Sequence, residues 1–262
     1  MNERFAGKVA LVTGATRGIG AALAGRLARE GARVAFCGRT ESAGAELSQQ
    51  LGGPEHALYI AADLSRADDC AAIVDATVER FGRLDILVNN AASVARGTLE
   101  TTSAADFDAM IALNLRAPFL TIQRALPTFK AQRERAGVGG VVINIGSINA
   151  YIGIPQLAAY SASKGGLMTL SKNLANALGQ WHVRVHVLNV GWTLSEGEEL
   201  VQRAEGAPAD WAAQVGAKRP WGRLLEPDEI AAAVAFLTSD EAAVFSGGIV
   251  DLEQFPIGRP GG

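Results

Sequence analysis

The chain has 262 residues, 48% hydrophobic and 19% charged, enough apolar material to fill the core of one large α/β domain and far from a disordered composition. Its 24 Lys and Arg against 27 Asp and Glu give a net charge of −3 with no basic block, which argues against a nucleic-acid partner because phosphate contacts need clustered cations. The Met1–Phe5 start lacks the apolar run of a signal peptide, and no stretch nears ~18 uninterrupted apolar residues, so a cytoplasmic protein with no membrane association is expected.

In chain order, Lys8–Thr13 is the first of seven strand-like runs, and a Gly-rich turn leads from it into a helix over Gly20–Glu30, where Ile19, Leu23 and Leu27 recur on one face. The next runs are Arg33–Cys37 and His56–Ala61, then a helical stretch over Ala67–Phe81, a strand over Leu84–Asn89 and a helix over Phe107–Arg124. Gly140–Ile145 reads as a strand, Ala158–Leu178 as a helix and Val183–Leu188 as a strand. Residues 192–222 carry Gly, Pro and charge but no strand pattern. A helix over Asp228–Thr238 follows, with Pro227 at its start and carboxylates suited to the helix dipole. A last strand over Gly248–Leu252 leads to an irregular Gly/Pro-rich end over 256–262. The strands are apolar almost throughout, as strands buried on both faces are. Strand–helix alternation on this scale predicts a single α/β domain over 1–262, of Rossmann type: a doubly wound, mostly parallel seven-stranded sheet with helices on both faces. Cys37 and Cys70 sit in apolar or helical surroundings and read as buried thiols of a reducing compartment. Of the three histidines, His182 and His186 share an i, i+4 spacing in a strand-like run, which reads as packing on one strand face. No metal site is expected.

Thr13-Gly14-Ala15-Thr16-Arg17-Gly18-Ile19-Gly20 follows a strand and opens a helix. Glycines permit the tight turn and let backbone N–H groups approach a pyrophosphate at the positive end of the helix. Gly14, Thr16, Arg17, Gly18, Ile19 and Gly20 are the expected contacts. The second strand ends in Cys37-Gly38-Arg39-Thr40, without the carboxylate that holds the ribose hydroxyls of NAD. An Arg guanidinium suits a 2′-phosphate, so Arg39, with Arg17, predicts NADP(H) as the preferred cofactor, NAD(H) remaining possible.

Beyond these features the sequence resembles the short-chain dehydrogenase/reductase family, nearly end to end. The glycine turn matches that family's first motif. Asp63-Leu64 matches its adenine-side Asp, and Asn89-Asn90-Ala91-Ala92 its Asn-Asn-Ala-Gly, with Ala92 in place of Gly. The resemblance implies cofactor contacts by Asp63, Leu64, Asn90 and Ala91, and catalysis by Asn114, Ser147, Tyr160 and Lys164. After the sixth strand it implies cofactor contacts by Gly191, Thr193 and Ser195, of which Ser195 fits the family spacing better. Three segments depart from the pattern: Val190-Gly191 replaces Pro-Gly, His186 replaces an Asn, and Asp251-Leu252-Glu253 replaces Asp-Gly-Gly.

A ketone that accepts hydride needs a proton on its oxygen, and a phenol near pKa 10 is a sluggish base at neutral pH. Lys164 lies one helical turn from Tyr160, so its cation, with the positive ring of the oxidised cofactor, is expected to lower the phenol pKa. Ser147 would hold the substrate oxygen, and the resemblance gives Asn114 a water that relays protons to Lys164. The expected activity is hydride transfer between NADP(H) and a small-molecule carbonyl or secondary alcohol. The alternatives are an NAD-dependent dehydrogenase of a sugar, polyol or hydroxy acid, or a non-catalytic nucleotide sensor. The segment 192–222, with helix-compatible Glu198–Ala204 and Ala209–Ala217 around Gly206-Ala207-Pro208, is expected to close as a lid. The small and apolar residues of the Ala158–Leu178 helix, together with the resemblance, predict a homotetramer.

Overall fold

Strands that are apolar on both faces need a layer of helices on each side. In the computed structural model, which describes residues 3–258, the seven runs become β1 (Val9–Val12), β2 (Arg33–Gly38), β3 (Ala57–Ala61), β4 (Ile86–Asn89), β5 (Gly140–Ser147), β6 (Val183–Val190) and β7 (Ile249–Leu252). They lie in the order β3-β2-β1-β4-β5-β6-β7, and every pairing is parallel. The expected Rossmann-type sheet is therefore present, parallel throughout. Side chains alternate between two cores. Ala10 and Val12 point to the layer of α1 (Gly18–Arg29) and α9 (Pro227–Thr238), where Leu23, Leu27, Ile230 and Val234 are buried. Val9 and Leu11 point to the layer of α3 (Ala67–Phe81), α5 (Ala117–Ala136) and α6 (Ala158–Leu178), where Ile73, Ile122 and Leu178 are buried. The strand order reverses at β1, between β2 and β4, so the carboxyl ends of β1 and β4 open the crevice where such sheets bind ligands.

Several elements differ from the sequence expectation. A helix α2 (Glu41–Gln50) lies where none is expected. The single Phe107–Arg124 helix is instead α4 (Ala104–Ile111) and α5, joined by a π turn at Ala112–Arg116. α5 runs on through Pro127 to Ala136, because Ala125 and Phe129 on either side of the proline are anchored in the core. His182 precedes β6 in a left-handed conformation (φ 51°), so it does not share a strand face with His186. The excursion after β6 holds α7 (Glu196–Ala204) and α8 (Trp211–Gly216). Its two ends meet in a parallel bridge between Thr193 and Leu225, where Leu194 N–H donates to Leu225 O at 2.8 Å. Of the Gly/Pro-rich end, 256–258 has neither helix nor strand and 259–262 lies outside the described residues. Cys37 and Cys70 are free and buried. Among the described residues no helix is long and apolar enough to cross a membrane, and no cluster of His, Cys, Asp and Glu forms a metal site.

Candidate active site

The glycine turn packs against the end of β4. Gly14 has φ +62°, and a Cβ there would stand 2.7 Å from Ala91 Cα. A Cβ on Gly20 would strike the Gly14 carbonyl. Thr13 Oγ1 accepts from the Asn90 and Ala91 N–H groups, and Asn90 Nδ2 donates to the Thr13 and Gly14 carbonyls. Asn90 thus braces the turn from behind, its amide donors spent on the backbone. No side chain caps the first turn of α1, and no carboxylate lies in it, so its N–H groups and positive dipole have no side-chain partner. By contrast α4, α7 and α9 begin with capping side chains and acids of their own. This uncapped turn, with backbone exposed by glycine, fits a dinucleotide pyrophosphate.

The end of β2 touches the same turn: a Cβ on Gly38 would lie 2.6 Å from Thr16 Cγ2. Arg39 and Arg17 beside it are exposed and have no hydrogen bond or ion pair among the described residues. Asp63 accepts the Ser65 N–H at 3.0 Å, and this bond, helped by Arg39, lowers its pKa. Leu64 is buried in the core, so only its backbone is available to a nucleotide. Across the cleft, Ser195 Cβ comes within 3.6 Å of a Cβ placed on Gly18. The Ser195 hydroxyl caps α7 through Glu198 N–H, and Thr193 Oγ1 donates to Gly191 O at 3.0 Å.

The four residues expected to act on substrate come together at the carboxyl end of the sheet. Ser147 ends β5, Tyr160 and Lys164 lie one turn apart on α6, and Asn114 occupies the π turn; all are buried. Lys164 Nζ donates to the Ile145 carbonyl at 2.7 Å and stands 5.7 Å from the centre of the Tyr160 ring. Burial lowers the Lys164 pKa to about 8, which still leaves it a cation at neutral pH. The Tyr160 phenol is raised, first by burial and then by the Glu198 carboxylate, against a lowering bond from Ser147. In the chain alone burial therefore outweighs the depression expected from Lys164. Asn114 Oδ1 accepts the Ser93 N–H at 2.8 Å, and its Nδ2 donates to Ser93 O and Ser163 Oγ at 2.9 and 3.1 Å. Its amide is spent on holding the loop after β4.

The profile of the family described as short chain dehydrogenase matches residues 8–206. The chain belongs to this family. A Thermotoga maritima protein named uncharacterized oxidoreductase is 39% identical over 95% of this chain and 97% of its own length. D-threitol dehydrogenase of Mycolicibacterium smegmatis is 39% identical over 93% of this chain and 90% of its own. Among solved structures, the 3-ketoacyl-(acyl-carrier-protein) reductase of Brucella melitensis, complexed with NADH, aligns with a TM-score of 0.85 at 31% identity, covering 95% of this chain and 98% of the other. The protein is thus an oxidoreductase of the short chain dehydrogenase family, which acts on alcohols and carbonyls with a nicotinamide cofactor.

Of the departures from the family pattern, Glu253 packs against Gly191 beyond β6, and His186 lies within β6. The side chain of Glu253, where the pattern has Gly, is buried, and its carboxylate fills the space that a side chain on Gly191 would need. Its Oε1 accepts the Gln254 N–H at 2.6 Å and stands 3.6 Å from Arg219, whose guanidinium lies over the rings of Trp192 and Phe255. His186 is fully buried beside Phe245, and burial with Arg184 nearby pushes its pKa down to about 4, so the ring is neutral. The excursion is tied down across the cleft: Arg96, from the loop after β4, pairs with Glu198 and Glu205 of α7 at 3.4 and 3.1 Å. Glu198 Oε1 also accepts from Trp192 Nε1 (3.0 Å) and Gln202 Nε2 (2.8 Å). Sequence reasoning missed Ser93, Arg96, Asn149 and Glu198. Only Asn149 carries a local signal, standing two residues beyond Ser147. A cavity of about 550 Å³ at the opposite end of the sheet, lined by Arg4, Lys8, Asp85 and Arg184, shares no residue with this site.

Proposed function

We propose that the chain is an NADP(H)-preferring enzyme that interconverts a small carbonyl compound and a secondary alcohol, with Tyr160 carrying the proton. The observation behind this reading is the buried meeting of Tyr160, Lys164 and Ser147 at the carboxyl end of the sheet, where β5 ends. When bound, the nicotinamide supplies the hydride acceptor or donor. In oxidation Ser147 donates a hydrogen bond to the substrate oxygen, and the Tyr160 phenolate takes the hydroxyl proton; reduction reverses the transfer. Lys164, held by the Ile145 carbonyl, keeps a cation near the phenol. For the relay role that the resemblance gives Asn114, the backbone carbonyl is the better candidate than the committed amide. Pro118, four residues on, has no N–H to offer that carbonyl, and π turns recur at functional sites.

The NADP(H) preference rests on exposed Arg39 and Arg17 and on the missing carboxylate at the end of β2. A second reading, NAD-dependent oxidation of a polyol, draws on the relative named for D-threitol and on the neighbour complexed with NADH. One assay separates them: kcat/KM for NADPH and NADH over a panel of ketones, sugars, diols and hydroxy acids, followed by absorbance of the reduced nicotinamide. NADH used as well as NADPH overturns the first reading. No turnover of any panel member by the cofactor-bound protein overturns both.

Segment 192–222 serves in this reading as a lid that excludes water from the hydride path, latched by Arg96. Free buried thiols suit a reducing cytoplasm. The exposed apolar side chains Phe107 and Phe119, and Phe236, Val244 and Phe245, support a homotetramer as surface that partner subunits would cover. Light scattering at micromolar concentration tests that assembly, and a monomer refutes it.

A further inference from the structure

Ser147 Oγ caps the short 3₁₀ turn Ile148–Ala150. It accepts twice from Asn149, from the backbone N–H at 3.2 Å and from the amide Nδ2 at 3.3 Å. A hydroxyl has one proton to give and two lone pairs to fill. With both lone pairs taken, the capacity that remains to Ser147 is donation. The Asn149 amide itself is unbalanced, because its Oδ1 is buried without a partner. The reversed amide would bring Oδ1 to Ser147 and draw the hydroxyl proton back onto Asn149, away from the substrate.

We propose that Asn149 is a positioning residue whose amide N–H holds Ser147 as an obligate hydrogen-bond donor, whose one proton goes to the Tyr160 oxygen before substrate binds and to the substrate oxygen afterwards. The inference rests on the roles proposed above for Ser147 and Tyr160. A bond donated to the phenol oxygen favours the phenolate, the form that accepts the alcohol proton, and so counters the effect of burial. The charged groups near the phenol are Lys164 on its own helix and Glu198 on α7. Their hydrogen bonds go elsewhere, to Ile145 in the first case and to Trp192, Gln202 and Arg96 in the second. Asn149 is thus the side chain that sets the direction of the Ser147 proton.

The test is the pH profile of kcat/KM for alcohol oxidation, paired with an absorbance titration of tyrosinate in the cofactor-bound protein, with Tyr160→Phe as the blank. In Asn149→Ala, Ser147 is free to turn, and the rising limb moves to higher pH by about half a unit to one unit. Asn149→Asp, close in shape but an acceptor when ionised, moves the limb further. The tyrosinate titration shifts with it in both variants. Packing loss alone would lower the rate without moving the limb. An unmoved limb in Asn149→Ala overturns the inference, as does an Asn149→Asp profile that matches the wild type. Should the alanine variant fail to fold, the aspartate variant decides by the same criterion. A Tyr160→Phe enzyme that keeps its rate and its limb would instead overturn the roles on which the inference stands.

Discussion

At the nucleotide end of the cleft the chain presents backbone. The turn from Gly14 to Gly20 offers N–H groups that no side chain caps, and Thr13 and Asn90 hold it from behind. At the other end the chain presents side chains: a buried Lys, a buried Tyr, a Ser with its lone pairs filled, and an excursion after β6 tied by Arg96, Glu198 and Glu253. A backbone site tolerates variation in its surroundings because every residue carries the same donor, provided glycine keeps the approach open. A side-chain site depends on each residue type and on burial that costs stability. The first end should therefore respond to substitution in affinity and cofactor choice, and the second in rate, pH dependence and substrate range.

The largest effect tests the substrate end. Tyr160→Phe removes one oxygen, so kcat should fall at least about a hundredfold while cofactor affinity, measured by nicotinamide fluorescence, stays near the wild-type value. A variant that keeps more than about a tenth of the rate would dissolve the division of labour. Next comes the cost of burying Lys164. Its folded pKa of about 8 lies below the ordinary lysine value of 10.5, so between these pH values the unfolded chain binds more protons than the folded one at this site. Lys164 alone should accordingly add stability as pH rises across that window, by up to about 3 kcal/mol at about 1.4 kcal/mol per unit, against the opposite contribution of buried Cys37 and Cys70, whose pKa values burial pushes up to about 12 and about 11. Denaturant titrations at pH 7.5 and 10.5 should show the stability of the wild type rising relative to that of Lys164→Met, in which the thiol contributions are unchanged. An equal change with pH in both proteins would remove Lys164 as a cause.

A smaller effect tests the nucleotide end. Arg39→Asp should lower the ratio of kcat/KM for NADPH to that for NADH at least about tenfold, since it exchanges an attraction for a repulsion at the 2′-phosphate. An unchanged ratio would remove Arg39 from the cofactor. The smallest effect probes the latch. Each exposed ion pair of Arg96 is worth about 0–1 kcal/mol, so Arg96→Ala should speed tryptic cleavage after Arg203 and Lys218 only a few-fold, with protection restored by NADPH and a substrate analogue. Cleavage at one rate in all states would mean that the excursion is a static flap.

What could be read in advance follows the same division. The strands are apolar on both faces and announce themselves, and glycine turns at strand ends are local in sequence. Helix α2 escaped because Gly44 looks like a breaker, yet it is there because a Cβ would strike the Tyr59 ring. The continuation of α5 beyond Arg124 escaped because Pro127 reads as a stop, whereas buried Ala125 and Phe129 hold the helix through it. The π turn at Asn114 has no residue signature. The Arg96–Glu198 contact joins residues 102 positions apart, and no pattern along the chain foretells it. The expected depression of the Tyr160 pKa rests on two cations, Lys164 and the oxidised cofactor ring; in the chain alone, burial, a property of the folded whole, raises it instead.

The bridge between Thr193 and Leu225 has an evolutionary consequence. Because the two ends of the excursion meet there, everything between them is a cassette: it can be lengthened, shortened or recombined from a relative with little strain on the sheet, since closing a longer loop costs only slowly more entropy. Such exchanges would let one hydride-transfer frame change its clientele quickly. They would succeed when the donor segment brings its own fastenings, because Arg96 and the Glu253–Phe255 stretch are matched to the residues they hold in this chain.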